Sequence, residues 1–144
     1  MSGSIDGITK NFKSTDLQIK GDGKVYIKNY TIDKPGMLLI HASWCGHCVR
    51  FKPTYMQLSK MLNNNAIHFP CYAIESNELS DSRLSKALDF RGFPSIKYIN
   101  QNGKIIDDYK GGRDIDSLTK DICNMYHKLY KDDTNFTNTC KPYM

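Results

Sequence analysis

Two cysteines spaced two residues apart are the residues of this sequence with the clearest chemical use. Cys45 and Cys48 enclose Gly46 and His47. An apolar run over 37–40 precedes the pair and a helical pattern follows it, so we expect a strand to end and a helix to begin here. At a helix start, Cys45 meets unpaired backbone N–H groups and the positive end of the helix dipole, which lower a thiol pKa. Because the thiolate is the nucleophile of disulfide exchange, the pair predicts redox chemistry.

A zinc site is a second use of such a pair. Structural zinc takes four ligands, usually from two Cys-x-x-Cys pairs, whereas Cys71, Cys123 and Cys140 are scattered singly. A third use is the packing of two buried structural thiols, but Gly46 and His47 at a helix start suit a reactive pair better. We therefore favour the redox interpretation and expect no metal.

The two thiols are expected to play different parts. Cys45, at the helix start, is the predicted nucleophile, and Cys48, one turn into the helix, is the predicted resolving thiol. Gly46 lets the backbone turn tightly into the helix. His47 can donate to the Cys45 thiolate or lie beside it as a cation, which would make the disulfide a better oxidant; an exposed surface histidine is the alternative. The disulfide formed by Cys45 and Cys48 requires no cofactor.

Length, composition and the termini limit the class of protein. The 144 residues suffice for one domain with a buried core, and five cysteines leave at least one thiol unpaired, which argues against a secreted scaffold held by several disulfides. Residues 1–12 lack the apolar core of a signal peptide, residues 140–144 carry no retention signal, and no apolar run approaches the ~18 residues of a membrane span. We therefore expect no membrane partner, and a location in the cytoplasm or a viral particle rather than the endoplasmic reticulum.

The net charge of +5 is concentrated at the front of the chain. Residues 1–60 hold nine Lys or Arg against four Asp, and residues 61–144 hold eleven residues of each sign. A basic half that contains the cysteines can favour acidic partners, although a solvated surface is the simpler explanation. No basic stripe is interleaved with aromatic residues, so nucleic acid is not an expected partner.

The hydrophobic pattern of the chain predicts strands that alternate with helices in one domain over 14–130. Pro53 lies inside the helix that follows the cysteines and is predicted to kink it. The predicted elements are a flexible leader (1–13), a hairpin (17–27), a buried strand (37–42), a helix (45–62), a strand (67–74), a helix (80–90), a second hairpin (96–109), a last helix (115–129) and a polar tail (131–144) with an exposed Cys140.

Three separated patches of the sequence resemble the thioredoxin superfamily. They are Trp44 to Cys48, Gly92 to Ser95 and Tyr109 to Arg113, and the resemblance spans residues 37–130. The Cys-Gly-His-Cys form is similar to the catalytic domains of protein disulfide isomerase. The resemblance implies an α/β, thioredoxin-like fold with a central mixed β-sheet flanked by helices. It also implies a thiol–disulfide oxidoreductase that oxidises or isomerises protein disulfides; a thioredoxin-like reductase and a redox-inert binding module are the alternatives.

The resemblance assigns roles to four residues around the cysteines. Pro94 matches the cis-proline that the family places opposite the active-site disulfide, and Phe93 before it would present backbone groups to the substrate. Arg113 matches an arginine credited with lowering the pKa of the second cysteine, although a surface cation is the alternative. Trp44 offers a flat apolar surface to unfolded substrates, although core packing would also explain it. Expected partners are cysteine-containing proteins and either a recycling redox protein or glutathione.

The chain departs from the family in two places. The family has a buried acid six residues before the first cysteine, as proton acceptor for the resolving thiol, and this chain has Leu39 there. His41 lies two residues further on, on the same strand face, and our hypothesis is that it or water relays the proton. Residues 20–35 lack a helical period, so the helix that the family has before the active-site strand is expected to be short or replaced by strand.

Overall fold

A five-stranded mixed sheet forms the centre of the computed structural model, which describes residues 5–64, 67–129, 138, 140 and 141. The strands are β1 (Lys10–Phe12), β2 (Leu17–Ile19), β3 (Val25–Ile27), β4 (Gly36–His41), β5 (Cys71–Glu75), β6 (Ser95–Ile99) and β7 (Ile105–Asp108), and the helices are α1 (Gly46–Leu62), α2 (Ser82–Leu88) and α3 (Ile115–Leu129).

The sheet order is β1-β5-β4-β6-β7, and β2 and β3 form a separate antiparallel hairpin. Strands β1, β5 and β4 run parallel, whereas β6 and β7 are antiparallel to their neighbours. All six residues of β4 are buried, as expected for a central strand covered on both faces. The carboxyl end of β4 therefore delivers the chain to α1 at the middle of the sheet.

Alternation along β4 divides the core into two layers. Met37 and Leu39 pack with residues of α1 and α3 on one face of the sheet. Leu38 and Ile40 pack on the other face with α2 and the β2–β3 hairpin. The predicted thioredoxin-like α/β architecture, a mixed sheet flanked by helices, is confirmed. No helix in the described part of the chain is both long and apolar enough to cross a bilayer.

The region before β4 contains a hairpin and one 3-10 turn (Ser14–Asp16) where the family has a helix, which confirms the expected replacement. The strand expected over 67–74 begins later, at Cys71. Pro70, which has no N–H to donate, uses its carbonyl to accept from the Met37 N–H at 3.0 Å, and the ladder starts after it. The helix expected over 80–90 is shorter, because Asp81 caps its start and Asp89 ends it at a φ of 53°.

The prediction of a flexible leader over 1–13 is wrong for the residues described. Lys10–Phe12 forms β1, which pairs in parallel with β5, and Ile5 is buried. The Phe12 ring stacks on Tyr72 with centroids 4.7 Å apart. The Asn11 side chain exchanges two hydrogen bonds of 3.0 Å with the backbone of Ile5. Three residues are too few to show an alternating pattern in the sequence, so this strand depends on contacts with distant residues.

The predicted tail over 131–144 lies outside the described residues except at 138, 140 and 141, and its expected exposed cysteine is wrong. Cys140 is buried and forms a disulfide with Cys123 of α3, 17 residues earlier. Both sulfurs belong to the core layer on the α1–α3 side. Spacing alone does not determine which lone cysteines pair, so this bond has no signal in the sequence.

Loss of this disulfide is expected to lower the free energy of unfolding by about 3 kcal/mol, the loop-closure value for a loop of this length. Cys140→Ser, measured by urea denaturation in a Cys45→Ser, Cys48→Ser background, isolates the effect. In that background dithiothreitol should destabilise the parent by a similar amount and leave the Cys140→Ser variant unchanged. Equal stability of the parent with and without dithiothreitol would contradict the bond.

Candidate active site

The nucleophile predicted from the sequence lies at the start of α1. Cys45 has an extended backbone (φ −94°, ψ 119°) and caps the helix, and its carbonyl accepts the first helical hydrogen bond from Val49 N–H at 3.1 Å. The Cys45 N–H donates to the Ala42 carbonyl at 3.1 Å, which fixes the turn out of β4. The side chain is half-buried and reduced. This geometry leaves the sulfur facing the free N–H groups of the first helical turn.

The pKa of Cys45 is lowered from its ordinary value. The largest cause is the backbone N–H of Cys48, and the Cys48 thiol, the backbone N–H of His47 and the charge of Arg113 act in the same direction. Partial desolvation opposes them without reversing the shift. A sulfur held in this way is ionised more readily than a free thiol, which is what a disulfide-exchange nucleophile requires.

Cys48 has the opposite environment. It is buried, and its sulfur accepts a hydrogen bond from the Ala42 N–H at 3.4 Å. Burial raises its pKa to about 11, and the neighbouring Cys45 adds to the rise. The structure therefore separates an accessible, acidic thiol from a buried, protonated thiol one turn behind it. Within the described residues no three His, Cys, Asp or Glu side chains form a metal site around them.

We expect Cys45 and Cys48 to differ in how the rate of their alkylation depends on pH. Cys45 should react with iodoacetamide with a midpoint below that of a free cysteine, about 8.5, and Cys48 should not react below pH 9. Mass spectrometry of alkylated Cys71→Ala protein assigns the modified residue, and that background removes the other buried free thiol. Equal alkylation of Cys45 and Cys48 at pH 7 would contradict the division of roles.

His47 makes a different contact from the one expected. Its ring is exposed, and Nδ1 accepts a hydrogen bond from Nη2 of Arg50 at 3.0 Å. Because a guanidinium can only donate, the ring in this contact is neutral with its proton on Nε2. His47 lowers the pKa of Cys45 through its backbone N–H, and this effect is smaller than that of the Cys48 N–H. Arg50 was missed, although its spacing of three residues on a helix is the signal for such a contact.

The loop before β6 faces the nucleophile. The Phe93–Pro94 peptide bond is cis, and the Cys45 thiol donates to the Phe93 carbonyl at 3.5 Å. The Trp44 side chain is 73% exposed, so it does not belong to the core. Its ring packs edge-on against Phe93 with centroids 5.4 Å apart. These two aromatic residues give the nucleophile an apolar surface beside it.

Arg113 lies on the loop between β7 and α3. It is exposed, and its charge lowers the pKa of both Cys45 and Cys48. The Tyr109 hydroxyl donates to the Gly112 carbonyl and holds the loop. A Cβ at Gly111 would lie 2.5 Å from the Tyr109 hydroxyl oxygen, so only glycine fits there. The structure thus brings together, at one end of the sheet, the two cysteines, Trp44, the Phe93–Pro94 pair and Arg113.

In a comparison with known protein families, residues 24–124 match the family described as thioredoxin. This chain belongs to the thioredoxin family. It is similar to the protein disulfide-isomerase of Ricinus communis, at 32% identity over 92 residues that cover 62% of this chain and 18% of that protein. It is also similar to protein disulfide-isomerase tigA of Aspergillus niger, at 31% identity over 107 residues that cover 74% and 28%. The chain thus spans less than a third of the length of these relatives.

Solved structures show the same thioredoxin fold. The first thioredoxin domain of mouse protein disulfide-isomerase A4 superposes with a TM-score of 0.56 at 23% identity, covering 76% of this chain and 79% of that domain. Human ERp44 superposes with a TM-score of 0.59 at 15% identity, covering 86% of this chain and 30% of that protein. At these identities the likeness establishes the fold alone.

The buried acid that the family has six residues before the first cysteine is replaced here by an apolar core residue. Leu39 is 1% exposed and pairs with Ala73 and Ile96 on the neighbouring strands. His41, on the same face of β4, is fully buried, and neither ring nitrogen has a hydrogen-bond partner among the described residues. Its strand partner is Glu75. The position that supplies a carboxylate in the family therefore supplies none here.

His41 is a weak base in this thioredoxin-family site. Its pKa is lowered to about 4, chiefly by burial and then by the Lys52 ammonium, while the Glu75 carboxylate opposes the shift. Burial alone would raise the pKa of Glu75, but hydrogen bonds from the Asn77 N–H and from Ser43 lower it, so its charge persists. Sequence reasoning missed Lys52 and Glu75, because their approach to His41 depends on strand register and helix packing.

Proposed function

We propose that this protein is a thiol–disulfide oxidoreductase that oxidises or isomerises protein disulfides through its Cys-Gly-His-Cys site. The observation that carries the proposal is the contrast between the two thiols. Cys45 has a lowered pKa at the start of α1, and Cys48, one turn behind, has a pKa raised to about 11. An accessible nucleophile with a buried partner is the arrangement that two-step disulfide exchange requires.

The exchange needs only the two sulfurs. The Cys45 thiolate attacks one sulfur of a substrate disulfide, a mixed disulfide forms, and the other substrate sulfur leaves as a thiolate. Cys48 then loses its proton and attacks the Cys45 sulfur, which releases the second substrate thiolate and leaves the Cys45–Cys48 disulfide. In reverse, that disulfide takes two electrons from a substrate dithiol and oxidises it. No cofactor takes part, and glutathione or a second redox protein resets the pair.

The proposed direction is oxidation. The Gly-His dipeptide between the cysteines is the form found in protein disulfide isomerase, whose potential is about −180 mV against about −270 mV for thioredoxin. The backbone N–H groups of His47 and Cys48 stabilise the Cys45 thiolate and so favour the reduced pair. Equilibration with glutathione should give a potential nearer the first value; one near −270 mV favours a reductase.

His41 has a supporting part in this proposal. Its neutral ring, next in the chain to the Ala42 N–H that binds the Cys48 sulfur, is proposed to pass the Cys48 proton to water. A base with a pKa of about 4 holds that proton only transiently, so resolution is expected to be slow.

Oxidative refolding of a reduced protein and reduction of insulin test the proposal together. Cys45→Ser should reduce both rates to the uncatalysed level, because no thiolate starts the exchange. Cys71→Ala is the matched control, since Cys71 is buried in the core with a pKa raised to about 12. Equal refolding rates for wild type and Cys45→Ser, with no insulin reduction by either, would show instead that the protein acts as a redox-inert binding module.

A further inference from the structure

We infer that a basic pocket beside the nucleophile binds a carboxylate that flanks the target disulfide. The pocket has a volume of about 540 Å³ and opens between the loop before β6 and the loop after β7. Its basic side chains are Arg91, Lys110 and Arg113, and Pro94 and Tyr109 form part of its wall. The inference rests on the proposed function and specifies the substrates that the site prefers.

The pocket adjoins the reacting sulfur. Pro94 in its wall follows Phe93, whose carbonyl accepts a hydrogen bond from Cys45 at 3.5 Å. Arg113 on the other side is close enough to Cys45 and Cys48 to lower the pKa of both. A ligand whose sulfur reaches Cys45 can therefore place a neighbouring group in the pocket.

The charge in the pocket is unbalanced. Arg91 and Lys110 are exposed and form no ion pair with any described residue. Of the two acids in the wall, Asp108 is paired at 2.5 Å with the ammonium of Lys97, which is 4% exposed. Asp89 is the remaining carboxylate. Three cations against one free acid leave a positive pocket that an anionic ligand group would neutralise.

The loop that presents two of the cations is held in place. Tyr109 is buried, its N–H donates to the Ile96 carbonyl at 2.9 Å, and its hydroxyl binds the Gly112 carbonyl. The Asp114 side chain accepts from both the N–H and the hydroxyl of Ser117 and closes the loop onto α3. Lys110 and Arg113 thus extend from a fixed backbone, which reduces the ordering cost of binding.

The ligand group that fits is a carboxylate within a few bonds of a disulfide. Guanidinium groups bind carboxylates through paired, charge-assisted hydrogen bonds. An acidic side chain next to a substrate cysteine has this chemistry, and so do the carboxylates of glutathione disulfide. In either case the Cys45 thiolate attacks the nearer sulfur, a mixed disulfide forms, and the other sulfur leaves as a thiolate.

Rates of mixed-disulfide formation on matched substrates test the pocket. One pair is a peptide disulfide with Glu or with Gln beside the cysteine, and the other is glutathione disulfide or its fully esterified ethyl ester, in which every carboxylate is blocked. The wild type at low salt should favour the acidic member by about tenfold, within the range of electrostatic steering, and 0.5 M salt should remove the preference. Preference in one pair alone assigns the source of the carboxylate.

The variant for this test is Arg91→Gln, Lys110→Gln, which leaves Arg113 and both cysteines in place. It should lower the preference to about twofold. Lys86→Gln removes a positive charge from the exposed surface of α2, outside the pocket, and should keep the full preference. Equal wild-type rates for acidic and neutral substrates would contradict carboxylate binding in the pocket. So would a loss of preference in Lys86→Gln as large as that in Arg91→Gln, Lys110→Gln.

Failure of the proposed function has a different signature: no substrate, acidic or neutral, forms a mixed disulfide with Cys45. S-methylglutathione, which cannot exchange, then decides the pocket separately by nuclear magnetic resonance titration. Weaker binding to Arg91→Gln, Lys110→Gln than to Lys86→Gln supports the pocket, and equal binding overturns it.

Discussion

Leu39→Asp is expected to speed the release of substrate from the mixed disulfide by about 100-fold at pH 7. Release requires Cys48 to lose its proton, and burial raises the pKa of that thiol to about 11. The family's buried acid would accept the proton at this position, and a positioned base typically contributes 10²- to 10⁴-fold. Leu39 lies on the face of β4 that packs against α1, the helix that carries Cys48.

The pH dependence of the release rate in the wild type is a second test. Without an efficient internal acceptor, the logarithm of the release rate should rise with pH at a slope near one from pH 6 to 9, as Cys48 ionises. Leu39→Asp should flatten that slope. Stopped-flow measurement of the leaving thiol in a preformed mixed disulfide gives both quantities.

Two variants control this experiment. Leu39→Asn buries a polar group of the same shape without a base, so it should destabilise the fold as Asp does but leave release slow. His41→Gln should slow release by less than tenfold, since a base with a pKa of about 4 is far from the operating pH. Equal rates for Asn and Asp, or a flat wild-type profile, would contradict the missing-acceptor account; an unchanged rate in His41→Gln would remove His41 from the mechanism.

The active-site strand and helix were predictable because their signals are local. The continuous apolar run of β4 identifies a central strand, and the spacing of Phe51, Tyr55, Leu58 and Leu62 identifies the buried face of α1. Cys45 falls at the junction of the two, so its position at a helix start follows from the sequence. Pro94 and Arg113 were placed by resemblance, because nothing local brings them to the cysteines.

The features that sequence reasoning missed are contacts between distant residues. β1 exists because Phe12 meets Tyr72, 60 positions later in the chain, and the Cys123–Cys140 bond joins two cysteines with no distinguishing neighbours. The His47 ring was assigned to Cys45 by proximity in sequence, but Arg50 on the next turn competes for it. Where two partners are available, spacing alone does not decide between them.

His41 should also make this protein sensitive to acid. Its ring is buried between the Lys52 and Glu75 charges, and its pKa is about 4 in the folded chain against about 6.5 when unfolded. Between these values the unfolded state binds a proton that the native state does not, so stability is lost as the pH falls through this window. From pH 7 to pH 5 the loss should be about 2 kcal/mol, at about 1.36 kcal/mol for each pH unit below the unfolded pKa of about 6.5.

Urea denaturation at pH 7, 6 and 5 measures this loss. His41→Phe removes the titrating group and fills the buried site with an apolar ring, so its free energy of unfolding should vary much less over the same range. His68→Gln, at an exposed histidine, should keep the wild-type pH dependence. The Glu75 carboxyl has a lowered pKa and titrates below this range, which leaves His41 as the source of the slope. Parallel curves for wild type and His41→Phe would show that His41 has the same pKa in the folded and the unfolded chain, and would contradict the lowered pKa.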